Sequence, residues 1–199
     1  MIDDQDRFEA TIKAIDKANS DDPHVVLHHG KNISHELLYS QRMTEILFKY
    51  DQNPEEALQL AARGQHIKRW VIPRNEYPMD RKGYLQWRTK LKLMHANLME
   101  EIMTENGYGT DIINQVKLLI NKNKLKTDPP SQQLEDVVCL VFLQYYFSDF
   151  LQKHEDEKVI SILQKTWGKM TEKGRSMALE IAFEGKGKEL IQRALVIDN

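Results

Sequence analysis

Two adjacent acidic residues, Glu135 and Asp136, interrupt an apolar segment and are the first candidates for chemistry. The segment runs from Ser131 to Phe147, and helical spacing places apolar side chains beside both carboxylates. Because a buried carboxylate is costly, it must take up a proton, meet a cation or bind a metal. The acidic pair therefore predicts partners elsewhere in the chain.

Two histidines are the first candidate partners because each lies on the apolar face of a predicted helix. His66 is in register with Leu58, and His95 is in register with Trp87. Together with Asp136 they are the residue types from which helical bundles build metal sites. We therefore predict His66, His95 and Asp136 as ligands of a divalent metal. The alternative is that both histidines are hydrogen-bonded core residues.

Arginines form the second set of candidate partners. Arg69 and Arg88 fall within a stretch that also carries tryptophans and tyrosines, and Arg42 lies earlier in the chain. Guanidinium groups can hold phosphate or carboxylate in a fork while a neighbouring aromatic ring stacks on a ligand. These three arginines are the predicted substrate-binding residues. Alternatively, they pair with acidic side chains such as Glu135 and only stabilise the fold.

Composition limits the classes of function. The chain has 199 residues, 28 basic and 30 acidic, with a net charge of −2, which gives no general attraction to nucleic acid or membrane. The basic run from Lys117 to Lys126 lacks interleaved aromatics and is interpreted as a solvated helix end. No signal sequence or membrane span is recognisable, so we expect a cytoplasmic protein. The single cysteine, Cys139, is expected to be an inert core thiol.

The elements that must position these side chains are predicted to be helices. Apolar residues recur every three or four positions, with Ser34, Asn53, Thr110 and Thr171 as caps. The predicted helices are 6–19, 34–50, 53–70, 84–105, 110–119, 131–147, 155–167, 172–182 and 186–196. No strand alternation is visible. The predicted fold class is therefore all-α, a compact multi-helix bundle of one domain over 1–199, with 152–199 as a candidate C-terminal helical extension.

Six motifs resemble those of the domain-of-unknown-function family 4202. They are LYSQRM (38–43), ARGQHIKRW (62–70), PRNEYPM (73–79), GYLQWR (83–88), LEDVVCLVF (134–142) and KTWGKM (165–170). The resemblance covers nearly the whole chain, and it implies kinship without implying an activity.

A looser resemblance points to chemistry. The order of Gln65-His66, His95 and Asp136 is similar to that in the HD-domain metal-dependent phosphohydrolases. In that superfamily a histidine, a His-Asp doublet and a distal aspartate bind a metal that activates water against a phosphate ester. Here Tyr39 or Arg42 stands where the first histidine is expected, and Gln65-His66 replaces the doublet. The resemblance thus implies at most three of the ligands and an HD-like bundle.

Two functions are compatible with these residues. In the first, the chain is a metal-dependent hydrolase of a small phosphorylated or nucleotide-like substrate, with Glu135 as the base or as the residue that orients a ligand. In the second, the same buried arginine, histidine and carboxylate groups form a non-catalytic binding module for a small anionic ligand.

Overall fold

The computed structural model describes residues 4–122 and 127–196 and confirms a mostly helical chain. The chain divides into two compact units, Met1–Lys124 and Leu125–Asn199. The interpretation of 1–199 as one domain with an extension from 152 stays a prediction. None of the described helices is long and apolar enough to cross a membrane.

The first unit contains five helices and a hairpin among its described residues. The elements are α1 (Asp4–Ser20), β1 (Val25–His28), β2 (Lys31–Ser34), α2 (His35–Tyr50), α3 (Glu56–Gly64), α4 (Arg81–Glu105) and α5 (Thr110–Asn121). Two single 3₁₀ turns, Arg69–Val71 and Arg74–Glu76, lie between α3 and α4. The predicted helices 6–19, 34–50, 84–105 and 110–119 are thus present within a few residues.

The β-hairpin corrects the prediction that the chain has no strands. Its two-residue turn is His29-Gly30, and both residues have positive φ, 48° and 75°. Such a turn matches the twist of antiparallel strands. The strands have only four residues each and pair with Val25 opposite Ser34. That length is too short for alternation to stand out from the sequence.

The third helix corrects the predicted helix over 53–70. It begins at Glu56 rather than at Asn53, and it ends at Gly64. Lys68 adopts a left-handed conformation with φ 51°, and its backbone N–H donates to the Asn19 side chain at 3.0 Å. His66 therefore lies in a turn anchored to α1 and not on a helix face.

The fourth helix begins three residues before the predicted Tyr84 and has the predicted inward face. The Asp80 side chain accepts a hydrogen bond from the backbone N–H of Gly83 at 2.7 Å. Trp87, Leu91 and His95 are buried along one stripe, as their spacing predicts. The α4 helix thus carries His95 into the core of the first unit.

The second unit contains five described helices: α6 (Pro129–Val141), α7 (Phe147–Lys153), α8 (Asp156–Trp167), α9 (Glu172–Leu179) and α10 (Gly185–Val196). A π-helical turn, Phe142–Tyr146, joins α6 to α7. The Asp128 side chain caps α6, which therefore begins at Pro129 and not at Ser131. Of the basic stretch predicted as a solvated helix end, residues 123–126 lie outside the described residues.

A close contact holds the end of α3 against α4. A Cβ atom added to Gly64 would lie 2.2 Å from the sulfur of Met99, a side chain with no exposed surface. Only glycine allows this approach, which fixes where the turn carrying His66 leaves α3.

We predict that Gly64→Ala lowers the free energy of unfolding by about 1–3 kcal/mol, because the fully buried Met99 side chain must shift within the core to make room for the new methyl group. Gly109→Ala is the matched control, since a Cβ atom there meets nothing within 4 Å. Urea denaturation followed by tryptophan fluorescence measures both. Equal losses in the two variants would contradict the packing argument.

Candidate functional site

A pocket of about 370 Å³ in the first unit combines acidic, basic and aromatic side chains. Residues before and after the hairpin form one side, and the segment between α3 and α4 forms the other. The lining residues are Asp22, His24, His35, Glu36, Arg69, Trp70, Ile72, Pro73, Arg74 and Trp87. The size is within the range of small-molecule sites.

Asp22 fixes the acidic side of the pocket. Its Oδ1 accepts a hydrogen bond from the His24 backbone N–H, and its Oδ2 accepts one from the Glu36 backbone N–H, both at 3.0 Å. The His35 backbone N–H donates to the His24 carbonyl at 2.8 Å. Asp22 thereby ties the entrance of the hairpin to the first turn of α2, where a negative charge is favoured.

Asp22, His35 and Glu36 form a group whose side chains could together hold a metal ion. One ligand atom from each lies within 4.8 Å of the other two, and this is the one such group of three among the described residues. Bonds of about 2.0–2.4 Å from a divalent cation to nitrogen and oxygen fit that spread. An imidazole with two carboxylates suits manganese, iron or zinc.

Glu36 is the member of the three with a buried oxygen that lacks a hydrogen-bond partner among the described residues. It is 6% exposed, and its Oε2 has no hydrogen-bond partner among the described residues. Its Oε1 lies 3.3 Å from Nδ1 of His35, and this hydrogen bond raises the pKa of His35. A buried carboxylate oxygen without a hydrogen-bond partner is energetically costly, and binding of a cation or of a hydrogen-bond donor would remove that cost.

His66 lies beside this carboxylate. Its Nδ1 is 3.7 Å from Glu36 Oε2, and its ring stacks on Tyr39 with centroids 4.2 Å apart. Arg69 Nη1 donates to His66 Nε2 at 3.3 Å. Desolvation lowers the pKa of His66 well below its ordinary value, and the charge of Arg69 lowers it further.

His95 approaches His66 from α4, with ring centroids 6.0 Å apart. Its Nδ1 donates to the carbonyl of Ile67 at 2.7 Å, and its buried Nε2 has no partner among the described residues. Burial lowers the pKa of His95 to about 4, so the ring is neutral at pH 7. Histidines that bind metals commonly donate one ring N–H to a carbonyl group and coordinate through the other nitrogen, and His95 has the first of these two features.

The predicted arginines occupy different surroundings. The Arg69 guanidinium lies 4.7 Å from the centroid of the Trp87 ring and lines the pocket. Arg88 lies 5.8 Å from the exposed Tyr84 ring, while Arg42 is half-buried on α2, and neither is part of the described pocket lining. Their substrate-binding role stays a prediction.

Arg74, a pocket residue outside the predicted substrate-binding set, is held in place by backbone. Its guanidinium donates to the carbonyls of Tyr77 at 3.0 Å and Pro78 at 2.8 Å. It also lies 5.8 Å from the Trp87 ring centroid. The pocket therefore carries two fixed cations, Arg69 and Arg74, opposite its carboxylates.

In the second unit, Asp136 has partners that account for its burial. Its Oδ1 accepts a hydrogen bond from the Thr171 backbone N–H at 2.9 Å, and its Oδ2 accepts one from the Thr171 hydroxyl. Gln132 donates to Oδ1 at 3.3 Å. A Cβ atom on Gly174 would lie 2.7 Å from the carboxyl carbon, so the start of α9 fits closely around the acid.

Glu135 is buried and lies in the same unit. Its Oε1 is 3.2 Å from Nζ of Lys169. The prediction that Asp136 joins His66 and His95 around a metal, with Glu135 as base, concerns residues of both units and stays a prediction.

Sequence reasoning missed the acidic side of the pocket. Asp22-Pro-His24 precedes the hairpin and His35-Glu36 follows it. Because Val25 pairs with Ser34, the hairpin brings these two groups together. The available signal was the His29-Gly30 turn after the β-branched pair Val25-Val26, flanked on both sides by candidate ligands.

The fold and this pocket define a helical protein with a polar site beside a hairpin. Residues 9–191 match the family described as Domain of unknown function (DUF4202), so the chain belongs to that family, as its motifs predicted. Comparisons with curated proteins and with solved structures found no match.

We predict that His95 makes stability depend on pH between about 4 and 6.5. In that window the unfolded state binds a proton and the folded state does not, so stability is lost as pH falls from 6.5 towards 4. Since one pKa unit corresponds to about 1.4 kcal/mol, the loss due to His95 is about 3 kcal/mol.

Urea denaturation at pH 7 and pH 4.5 measures this loss in the wild type and in His95→Gln. The variant should lose less stability than the wild type over the same interval. An identical loss in both proteins would show that His95 is not the responsible group.

We predict that Asp136→Asn lowers the free energy of unfolding by about 2 kcal/mol, because the new amide group faces the N–H and hydroxyl donors of Thr171. The matched control is Asp149→Asn at an exposed position on α7, with an expected change below about 0.5 kcal/mol. Thermal and urea denaturation compare the two variants. A neutral Asp136→Asn would mean that the carboxylate is not needed for folding.

Proposed function

We propose that the protein is a metal-dependent hydrolase of a small phosphorylated substrate and that its site is the pocket of the first unit. The observation that carries the proposal is that a group of three suitable ligands, Asp22, His35 and Glu36, shares one pocket with Arg69 and Arg74. Carboxylates and imidazole attract a cation, while guanidinium groups attract phosphoryl oxygens. The two sets together favour a substrate that bridges them.

The residues of the pocket would have two separate binding roles. Asp22, His35 and Glu36 would hold the cation, and the two arginines would bind and orient the phosphoryl group. A divalent cation with an open position, when bound, makes water a better nucleophile at neutral pH.

We assign His24, which lines the same pocket, as the base that would act on water. Its Nδ1 lies 2.8 Å from Asp22 Oδ1, and because an ionised carboxylate only accepts, Nδ1 carries the proton. Its Nε2 can then take a proton from water as the oxygen bonds to phosphorus and the ester P–O bond breaks. The released alcohol leaves with a proton in turn, so the net reaction consumes one water.

The alternative function is a binding module for a small anionic ligand. The cation–π contacts of Arg69 and Arg74 with Trp87 favour it, because they fix the guanidinium groups before any ligand arrives. Binding of manganese and a phosphonate without turnover of phosphate esters would favour the module over the hydrolase.

We predict that Glu36→Gln and Asp22→Asn each weaken manganese binding at least about tenfold, because each removes a charged ligand. Glu45→Gln is the control, since it removes one negative charge from the exposed side of the same helix, α2. Calorimetric titration measures affinity, and release of phosphate from a panel of phosphomonoesters measures turnover. If the wild type neither binds manganese nor is stabilised by it, the proposal fails.

The same titration tests the ligands predicted from the sequence. If His95→Ala and Asp136→Asn abolish manganese binding while Asp22→Asn does not, the cation belongs to His66, His95 and Asp136 instead. Unchanged affinity in His95→Ala together with loss in Glu36→Gln would place it in the pocket.

A further inference from the structure

His66 stands between the carboxylate and the guanidinium of the pocket. Its Nδ1 lies 3.7 Å from Oε2 of Glu36, an oxygen with no hydrogen-bond partner in the described part of the chain. Its Nε2 is 3.3 Å from Nη1 of Arg69. One neutral ring thus links a predicted cation ligand to a predicted anion ligand.

The proton on this ring can be assigned from its neighbour. Arginine has only donors, so Nε2 of His66 must accept from Arg69 and carries a lone pair. The proton of the ring is then on Nδ1, which points towards Glu36. The ring therefore presents its positive edge to the carboxylate and its negative edge to the guanidinium.

The ring and its turn are held from several sides. Tyr39 stacks on the ring with an interplanar angle of 13°. The Arg69 backbone N–H donates to the His66 carbonyl at 3.0 Å, and the neighbouring Lys68 N–H is anchored on Asn19. Trp87 covers the guanidinium of Arg69. The position of the ring is therefore set before a ligand binds.

We propose that His66 is a positioning residue that couples cation binding at Asp22, His35 and Glu36 to anion binding by Arg69. A direct ion pair between Glu36 and Arg69 would neutralise both ligand groups, and the intervening ring prevents it. The ring also engages one Nη of Arg69, and the other N–H groups of the guanidinium would bind the anion. The cation and Arg69 then act on the same anion from fixed positions.

This inference rests on the proposed function, and its test uses manganese and methylphosphonate as probes. Methylphosphonate carries phosphoryl oxygens but no ester bond to hydrolyse. Calorimetry gives its affinity with and without manganese, and the affinity for manganese with and without methylphosphonate. Thermodynamic linkage requires that manganese change the affinity for methylphosphonate by the same factor as methylphosphonate changes the affinity for manganese. This factor is the coupling ratio.

In the wild type we expect manganese to raise the affinity for methylphosphonate about tenfold or more. His66→Phe keeps the stacked ring and removes both nitrogens. In this variant manganese should raise the affinity for methylphosphonate by less than about threefold. The affinity for manganese alone should change by less than about threefold. His66→Gln can donate and accept through its amide and should restore part of the ratio. A purely structural role would not give this pattern of loss and rescue at unchanged melting temperature.

Three results would overturn the inference. Unchanged coupling in His66→Phe would show that His66 does not link the two ligands. Loss of manganese binding itself in that variant would make His66 a metal ligand, as the sequence predicted, and not a positioning residue. If the wild type binds neither probe, the proposed function fails as well, so the two failures are distinguishable.

Discussion

The buried carboxylate of Glu36 is the constraint on which the first unit's pocket depends. Removing a charged group from water costs several kcal/mol unless partners compensate. One oxygen of Glu36 contacts His35, and the other lies near His66 but has no hydrogen-bond partner among residues 4–122 and 127–196. Asp22 holds the backbone N–H of the same residue. The hairpin, the start of α2 and the turn after α3 all converge on this one side chain.

The acidic pair of the second unit shows a different solution to the same problem. Asp136 is more deeply buried than Glu36, but its oxygens accept hydrogen bonds from Thr171 and Gln132. Glu135 meets the ammonium group of Lys169. A buried acid in a sequence therefore indicates that a partner exists, and the partner can be a helix start as readily as a metal. Glu36 differs in that its Oε2 accepts no hydrogen bond from any of the described residues.

Prediction from the sequence succeeded where a single element carries the signal. The inward stripe through His95 depends only on residues within α4, and it is present. It failed over 65–70, because the apolar spacing through His66 continues beyond the end of the helix. The contact of Gly64 with Met99 and the anchoring of Lys68 on Asn19 end α3 there, and both involve residues distant in sequence.

The sequence by itself determined the helical composition, most helix positions, the inward direction of His95 and membership of the DUF4202 family. These properties follow from local periodicity, caps and motifs. Only the tertiary structure decided that Asp22 and Glu36 meet, that His66 lies between Glu36 and Arg69, and that Asp136 serves the start of α9. The physical reason is that each of these contacts depends on strand register, chain reversal or packing between elements, which the periodicity of one element does not encode.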